Sequence, residues 1–416
     1  MRIALLAAGS RGDYLPLLAV GQSLVARGHE IGVTATSEFA DLVQDSGLQV
    51  EPVDVDAMAL YHRGLAEHGA APSFAAQAAR LQRLGEQMAP AVAATMREVW
   101  PRYHAVVATA MSTSWAGLAS IGDPRPLVQL MFVPVVPSIR GDMSMFSTRP
   151  GRSLANLTTG LRATASAMRL VRPSPAQLDR FGLSRRDGWQ IVRRIMTAPV
   201  VVANTPVVIA AGRVGGRRLR PVGYPFYDRL GAQLPRPVVE FLATGPPPVY
   251  VGLGSHMLPQ MRTGVQHAVQ AAREAGFRVV LQHGSGAEQE VPAGDDLLVI
   301  DAAPHELLFG QVAAVVHHGG AGTVAQALRA GAPQVVVPVM VDQPFFARRV
   351  HELGVAGPPV PLPEAAGPDG TAAIRAALAA ALTEPTHARA AVLADRLRRE
   401  DGATGAAEEI ERILGA

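Results

Sequence analysis

The run His317-His318-Gly319-Gly320-Ala321-Gly322-Thr323 has the clearest capacity for chemistry in this sequence. An apolar strand-like stretch, Ala313 to His317, leads into it, and a helical pattern starts around Gly322. Glycines at such a strand-to-helix turn let the backbone approach a ligand closely, and the first amides of the helix meet it with the positive end of the helix dipole. That is chemistry for an anion, and diphosphate is its commonest occupant. Asp342 and Gln343 follow about 20 residues later, after the next strand-like run, and ligands of open αβ sheets collect at the carboxyl ends of strands. A carboxylate beside a carboxamide can accept from and donate to neighbouring hydroxyls. Two more strand ends contribute. Gly254 and Ser255 in VYVGLGS offer a small hydroxyl and amide pair, and Ala303 to His305 in VIDAAPHELLF place backbone groups where a nucleobase could be held.

These residues need strands and helices to bring them together. Ile3 to Ala8 reads as a buried strand, the next residues as a turn, and Leu15 to Ala26 as an amphipathic helix ending near Gly28. Further strand-like runs at 31–36, 105–110, 127–133 and 200–204 alternate with helical stretches such as Phe74 to Val99. This predicts a doubly wound first domain over residues 1–213. A Gly- and Pro-rich linker is expected at 214–237, and a second domain of the same architecture at 238–395, with strands near 249–253, 278–282, 297–301, 313–317 and 334–338. The final helical stretch, 396–416, is expected to cross back to the first domain.

Composition narrows the function classes. A chain of 416 residues, 48% hydrophobic and 18% charged, is long enough for two packed domains and too apolar for disorder. It has no cysteine, which excludes disulfides, thiolate metal sites and a cysteine nucleophile. No uncharged apolar run reaches the length of a membrane span and the N-terminus reads as a strand, so a cytoplasmic protein is expected. All 38 basic residues are Arg. Between Arg140 and Arg220 there are fifteen arginines against three acidic residues, Asp142, Asp179 and Asp187. A solvated surface is the plain reading of that stretch, and contact with an acidic membrane or an anionic ligand is the sharper one. Nucleic acid is not expected, because no aromatics interleave the charge.

Over nearly the whole chain, AAGSRGDYLPLLAVGQSLVARGHE together with HHGGAGT and DQPFFARRV resembles the family 1 glycosyltransferases of GT-B fold. The resemblance is to their bacterial and sterol-type branch, which glycosylates natural products and lipids. It implies two Rossmann-like, doubly wound α/β domains facing a central cleft. It also implies that His317 contacts the diphosphate of a nucleotide sugar, that Gly320, Ala321, Gly322 and Thr323 hold it by amides and a hydroxyl, and that Asp342 and Gln343 bind the sugar. Many relatives carry a histidine base in the first strand-to-helix loop, where this chain has Asp13. Asp13 is therefore the candidate base, with Ser10, Gly12 and Tyr14 on the acceptor side. Tyr14 stands where a small aliphatic residue is usual, and Ala302 and Ala303 stand where some relatives stack an aromatic on the base.

The expected activity is inverting transfer of a sugar from a UDP- or dTDP-sugar to a hydroxyl of a hydrophobic acceptor, such as a polyketide, glycopeptide, lipid or sterol. The helix at Gly322 would stabilise the leaving diphosphate, so neither metal nor cofactor is expected. Acceptor contacts are expected around 58–74 and 111–146, and the assembly is read as monomer or homodimer. The alternatives are a sugar-nucleotide epimerase or hydrolase of the same fold and a non-catalytic partner of another glycosyltransferase. A dinucleotide oxidoreductase fits poorly, because neither loop spells GxGxxG.

Overall fold

The computed structural model describes the chain except residues 69–73, 124, 215–216, 230, 255–258 and 283–290. The chain divides into two compact units, Met1–Tyr227 with Asp401–Ala416, and Asp228–Glu400.

The first unit is built on six parallel strands, β1 (Arg2–Leu6), β2 (Glu30–Thr36), β3 (Gln49–Val53), β4 (Ala105–Thr109), β5 (Leu127–Met131) and β6 (Val200–Val202), in the order β3-β2-β1-β4-β5-β6. Helices cover both faces, so a central strand is buried throughout instead of alternating. Every residue of β4 and β5 is buried. Burying one such Val or Leu side chain is worth about 1.5–3 kcal/mol, which makes this sheet the main source of cohesion in the unit. Strand β3 is absent from the sequence reading for a physical reason. As an edge strand it tolerates Pro52, and its central residue is the buried Glu51. Tyr103 Oη donates to Glu51 at 2.5 Å, and Arg102 pairs with the same carboxylate. Gly32 on β2 leaves the space that the Tyr103 hydroxyl occupies.

A small antiparallel hairpin, β7 (Gly212–Val214) and β8 (Arg217–Leu219), follows the first sheet. Its glycines read as linker in the sequence, because turn composition alone does not separate a hairpin from a connector. The last helix, Gly402–Leu414, lies on the first unit against Arg11–Ala26. Glu411 accepts from Arg27 Nη2 at 2.6 Å and pairs with His29 Nε2 at 2.9 Å. Gly402 touches the backbone of residues 223–224 so closely that no side chain fits there.

The second unit holds five parallel strands, β9 (Val249–Gly252), β10 (Val279–Gln282), β11 (Leu297–Ile300), β12 (Ala314–His317) and β13 (Gln334–Val336), in the order β11-β10-β9-β12-β13. Both sheets reverse direction of winding next to their first strand, between β1 and β4 and between β9 and β12. At such a switch point the flanking loops part and leave a crevice at the carboxyl ends of the strands. The two positions are the loops after β1 and β4 in one unit and after β9 and β12 in the other. No helix among the described residues is long and apolar enough to cross a membrane.

Candidate functional site

In the second unit the switch point gathers the residues that the sequence pattern singled out. Helix Ala321–Ala330 begins directly after β12, with Gly320 as its N-cap and no side chain capping it. The first intrahelical bond runs from Val324 N–H to Gly320 O at 3.0 Å. The amides of Ala321, Gly322 and Thr323 precede it and have no carbonyl partner within the helix. Gly319, at φ +91°, packs directly on the next segment: a Cβ there would meet Val336 Cγ1 at 2.8 Å and Gln343 O at 3.3 Å. The glycine loop and the Asp342-Gln343 segment are therefore in contact, as their placement at neighbouring strand ends predicts.

The two histidines of the loop have different jobs, and the expectation for His317 is corrected. His317 closes β12 with none of its surface exposed. Its Nδ1 accepts from Gly319 N–H at 3.1 Å, and its Nε2 meets Gln334 Oε1 at 3.0 Å. Burial, reinforced by the neighbouring His318, pushes the imidazole down to about 3, so the ring is neutral. With both nitrogens engaged inside the unit, His317 has none to offer a diphosphate. His318 is partly exposed and lies over the glycines at both strand ends. A Cβ on Gly254 would come within 3.1 Å of its ring, and one on Gly320 within 2.7 Å. Chain parity held the signal: when the last strand residue points into the core, the next one faces the crevice.

Asp342 occupies the N-cap position of helix Gln343–Glu352, yet its carboxylate makes no capping bond. Burial pushes it up to about 6, against the opposing effect of a backbone hydrogen bond. Gln343 is buried, and its Oε1 accepts from Val339 N–H at 2.7 Å and Met340 N–H at 3.0 Å. Its carboxamide oxygen is thereby engaged with the backbone of its own loop. Between them Val341 stands at φ +53°, the one positive φ outside glycine among the described residues. A β-branched residue pays about 1–3 kcal/mol for such a conformation, and strain of this kind clusters where loops meet ligands.

Ala303 and His305 lie at the end of β11, where His305 starts a short helix. The His305 ring stacks on Phe309 at 4.3 Å and reaches Tyr250 Oη at 3.1 Å, so it is engaged in the packing of its own unit. Gly254 follows β9 at φ +85°. Ser255 lies outside the described residues, as do 69–73 of the first expected acceptor stretch. A cavity of about 350 Å³ lined by Pro246, Phe277, Phe309 and His387 sits at the amino ends of the same strands, the edge opposite to the one that carries residues 317–323 and 342–343.

In the first unit the loop after β1 places Asp13. Ser10 caps helix Arg11–Ala26 by accepting from Gly12 N–H at 3.3 Å, so Asp13 sits in the first turn and is not the cap. Gly9, at φ +124°, leaves the space that the Asp13 carboxylate fills, and a Cβ there would collide with Oδ2. Met111, after β4, borders the same spot. The loops on both sides of the β1/β4 switch point therefore meet at Asp13. Tyr14 departs from its expected role on the acceptor side. It is wholly buried, stacked on Phe39 at 4.3 Å, with its hydroxyl accepting from Thr36 N–H at 3.2 Å. Burial drives the phenol up to about 12. A ring in that position braces the end of β2.

Residues 3–113 match the Glycosyltransferase family 28 N-terminal domain, and residues 271–416 match the C-terminal domain of proteins like Erythromycin biosynthesis protein CIII. The chain is 34% identical to O-mycaminosyltylonolide 6-deoxyallosyltransferase of Streptomyces fradiae, over 99% of this chain and 97% of that protein. It is 32% identical to vancomycin aglycone glucosyltransferase of Amycolatopsis orientalis, over 98% and 96%. A sterol 3-beta-glucosyltransferase of Arabidopsis thaliana is 26% identical over the whole of this chain and 68% of its own length. Among solved structures, the glycotransferase of kitacinnamycin superposes with a TM-score of 0.68 at 22% identity, covering 99% of both chains. The calicheamicin glycosyltransferase CalG4 superposes at 0.67 and 21%, over 100% of this chain and 98% of its own.

Proposed function

Because the chain belongs to the family 1 glycosyltransferases of GT-B fold, we propose that it transfers a sugar, with inversion, from a UDP- or dTDP-sugar to a hydroxyl of a hydrophobic natural product. The observation that carries this reading is the crevice of the second unit. There the uncapped start of helix Ala321–Ala330, the His318 ring and the Asp342 carboxylate, which caps no helix, belong to loops in direct contact. Backbone amides at a helix start suit a diphosphate, and a carboxylate beside an amide NH2 suits the hydroxyls of the sugar attached to it.

Under this reading Asp13 accepts the proton of the acceptor hydroxyl as its oxygen bonds to the anomeric carbon. The bond from that carbon to the diphosphate breaks, and its electron pair leaves with the nucleoside diphosphate. The amides of residues 321–323, Thr323 and His318 stabilise that departing charge. The relatives at 34% and 32% identity act on O-mycaminosyltylonolide and vancomycin aglycone by their names, which supports an antibiotic-like acceptor.

The test is a thermal-shift panel of UDP- and dTDP-sugars, followed by mass spectrometry of reactions with macrolide, glycopeptide and sterol acceptors. A ligand that binds only the folded state raises its melting point. Stabilisation by one donor and a mass gain of one sugar on an acceptor are expected. Absence of any nucleotide-sugar binding would sink the reading, and diphosphate release from donor alone would replace it with a hydrolase or epimerase.

The arginine-rich stretch extends the proposal to a surface. Leu154 is 75% exposed and Leu161 54%, on a helix whose last turn leads to Arg172, which lies over the 60% exposed Trp189 at 5.0 Å. Arg149, Arg152, Arg162, Arg185, Arg186 and Arg193 are exposed nearby in sequence. Apolar side chains and tryptophan among arginines suit the interface of an acidic bilayer. Sedimentation with vesicles containing phosphatidylserine, and none with neutral vesicles, is the expected result, and Leu154→Glu with Leu161→Glu should remove it.

A further inference from the structure

His317 sits between two fixed partners, and their chemistry settles its tautomer. The Gly319 amide can only donate, so the Nδ1 it meets at 3.1 Å carries no proton. The proton then sits on Nε2 and needs an acceptor, which is Gln334 Oε1 at 3.0 Å. The same contact fixes which way the Gln334 amide points. Gln334 is wholly buried and anchored at both backbone groups, donating to Val355 O at 3.1 Å and accepting from Gly357 N–H at 3.0 Å. A chain of bonds thus runs from the segment after helix Gln343–Glu352, through β13 and the imidazole, into the glycine loop.

We propose that His317 and Gln334 are positioning residues of the donor site: the neutral imidazole accepts the amide two residues on, as Asn does in an Asx turn, and turns it inward. With Gly319 N–H held by the ring, the loop keeps its positive φ. His318 is carried over Gly254 and Gly320, and the amides of residues 321–323 are left to face the anion. The inference rests on the donor-site reading above and assigns a role that the sequence motif gives to ligand contact.

Two substitutions separate positioning from space filling. His317→Asn keeps a side-chain acceptor for the amide two residues on, although it is smaller than histidine. His317→Leu fills the space and offers no acceptor. The readouts are the dissociation constants of UDP and dTDP by calorimetry and the melting temperature of each variant. We expect His317→Asn to bind the preferred diphosphate within about threefold of the wild type, and a folded His317→Leu to bind it about tenfold or more weakly. Equal affinity in the two variants, or tighter binding by His317→Leu, would overturn the proposal. Nitrogen-15 spectra of the histidine-labelled wild type provide a measurement that needs no variant. They should show one ring with a bare Nδ1 and a protonated Nε2 that does not titrate between about pH 5 and 8. A proton on Nδ1 of His317 overturns the proposal even if both variants misfold. If the wild type binds neither diphosphate, the donor-site reading fails, while the spectra still decide the tautomer.

Discussion

Asp13 and Asp342 are both carboxylates at the carboxyl edge of a parallel sheet, and their surroundings set them to different tasks. Asp13 is held by the Gly9 turn and is only partly buried, which suits the base proposed for it, since such a group must meet an incoming hydroxyl. Replacing it with Asn keeps its shape and removes the proton acceptor. Turnover should fall by about a hundredfold or more, the usual worth of general-base catalysis, with nucleoside diphosphate affinity unchanged by calorimetry. Asp342 is raised to about 6 from an ordinary 3.8, chiefly by burial. A carboxyl raised on folding binds its proton more tightly in the native state, so it lowers stability as pH rises from about 4 through 6. Asp342→Asn removes that penalty. At pH 7.5 the variant should be more stable than wild type by about 1 kcal/mol, a figure discounted for the exposure the residue retains. Near pH 4 the two should melt together, and the sugar-binding role proposed for the carboxylate predicts that transfer by the variant is impaired, a gain in stability at a cost in function.

At the scale of elements, one strand-to-helix turn in each unit carries candidate residues, and both turns depend on a glycine whose missing side chain leaves room for one of them. Gly254 and Gly320 make space for His318, and Gly9 makes space for Asp13. Both kinds of turn were legible in the sequence as glycines between an apolar run and a helical pattern. The sequence did not reveal which neighbour would fill the space. Gly9→Ala adds a methyl group at φ +124° in the position of the Asp13 carboxylate. Displacing that carboxylate should lower transfer nearly as far as Asp13→Asn does, whereas the shift in melting temperature caused by UDP or dTDP should match the wild type. A variant with full activity would show that the turn does not place the base.

For the whole molecule, the buried ionisable groups set the response to acid. His317 is neutral in the fold, at about 3 against an ordinary 6.5, so the unfolded chain binds a proton that the native state refuses. Its contribution is complete above about pH 6.5 and is lost progressively as pH falls toward 3. Glu411, held below the ordinary carboxylate range first by Arg27 and then by His29, loses its own contribution at lower pH as it is protonated. Asp342 acts the other way, gaining stability as pH falls from about 6 toward 4, so the His317 effect is read in the Asp342→Asn background, where melting temperature should fall from about pH 6.5 downward, before most carboxylates titrate. Adding His317→Asn to that background should delay the decline to the carboxylate range. An unchanged profile in that variant would remove His317 as the source.

Periodicity and punctuation fixed most strands of both sheets, because strands buried on two faces are written as apolar runs ended by glycine. They also placed the glycine loop and the Asp342-Gln343 segment on neighbouring strand ends, because parallel sheets deliver their loops to one edge. Strand β3 escaped notice, since an edge strand with a buried, paired glutamate carries no such run. Only the tertiary structure divided labour between His317 and His318 and sent Tyr14 into the core. Adjacent residues of one type differ in role only through what surrounds them. For His317 the deciding group is the carboxamide of Gln334, seventeen residues away in the chain and 3.0 Å away in space.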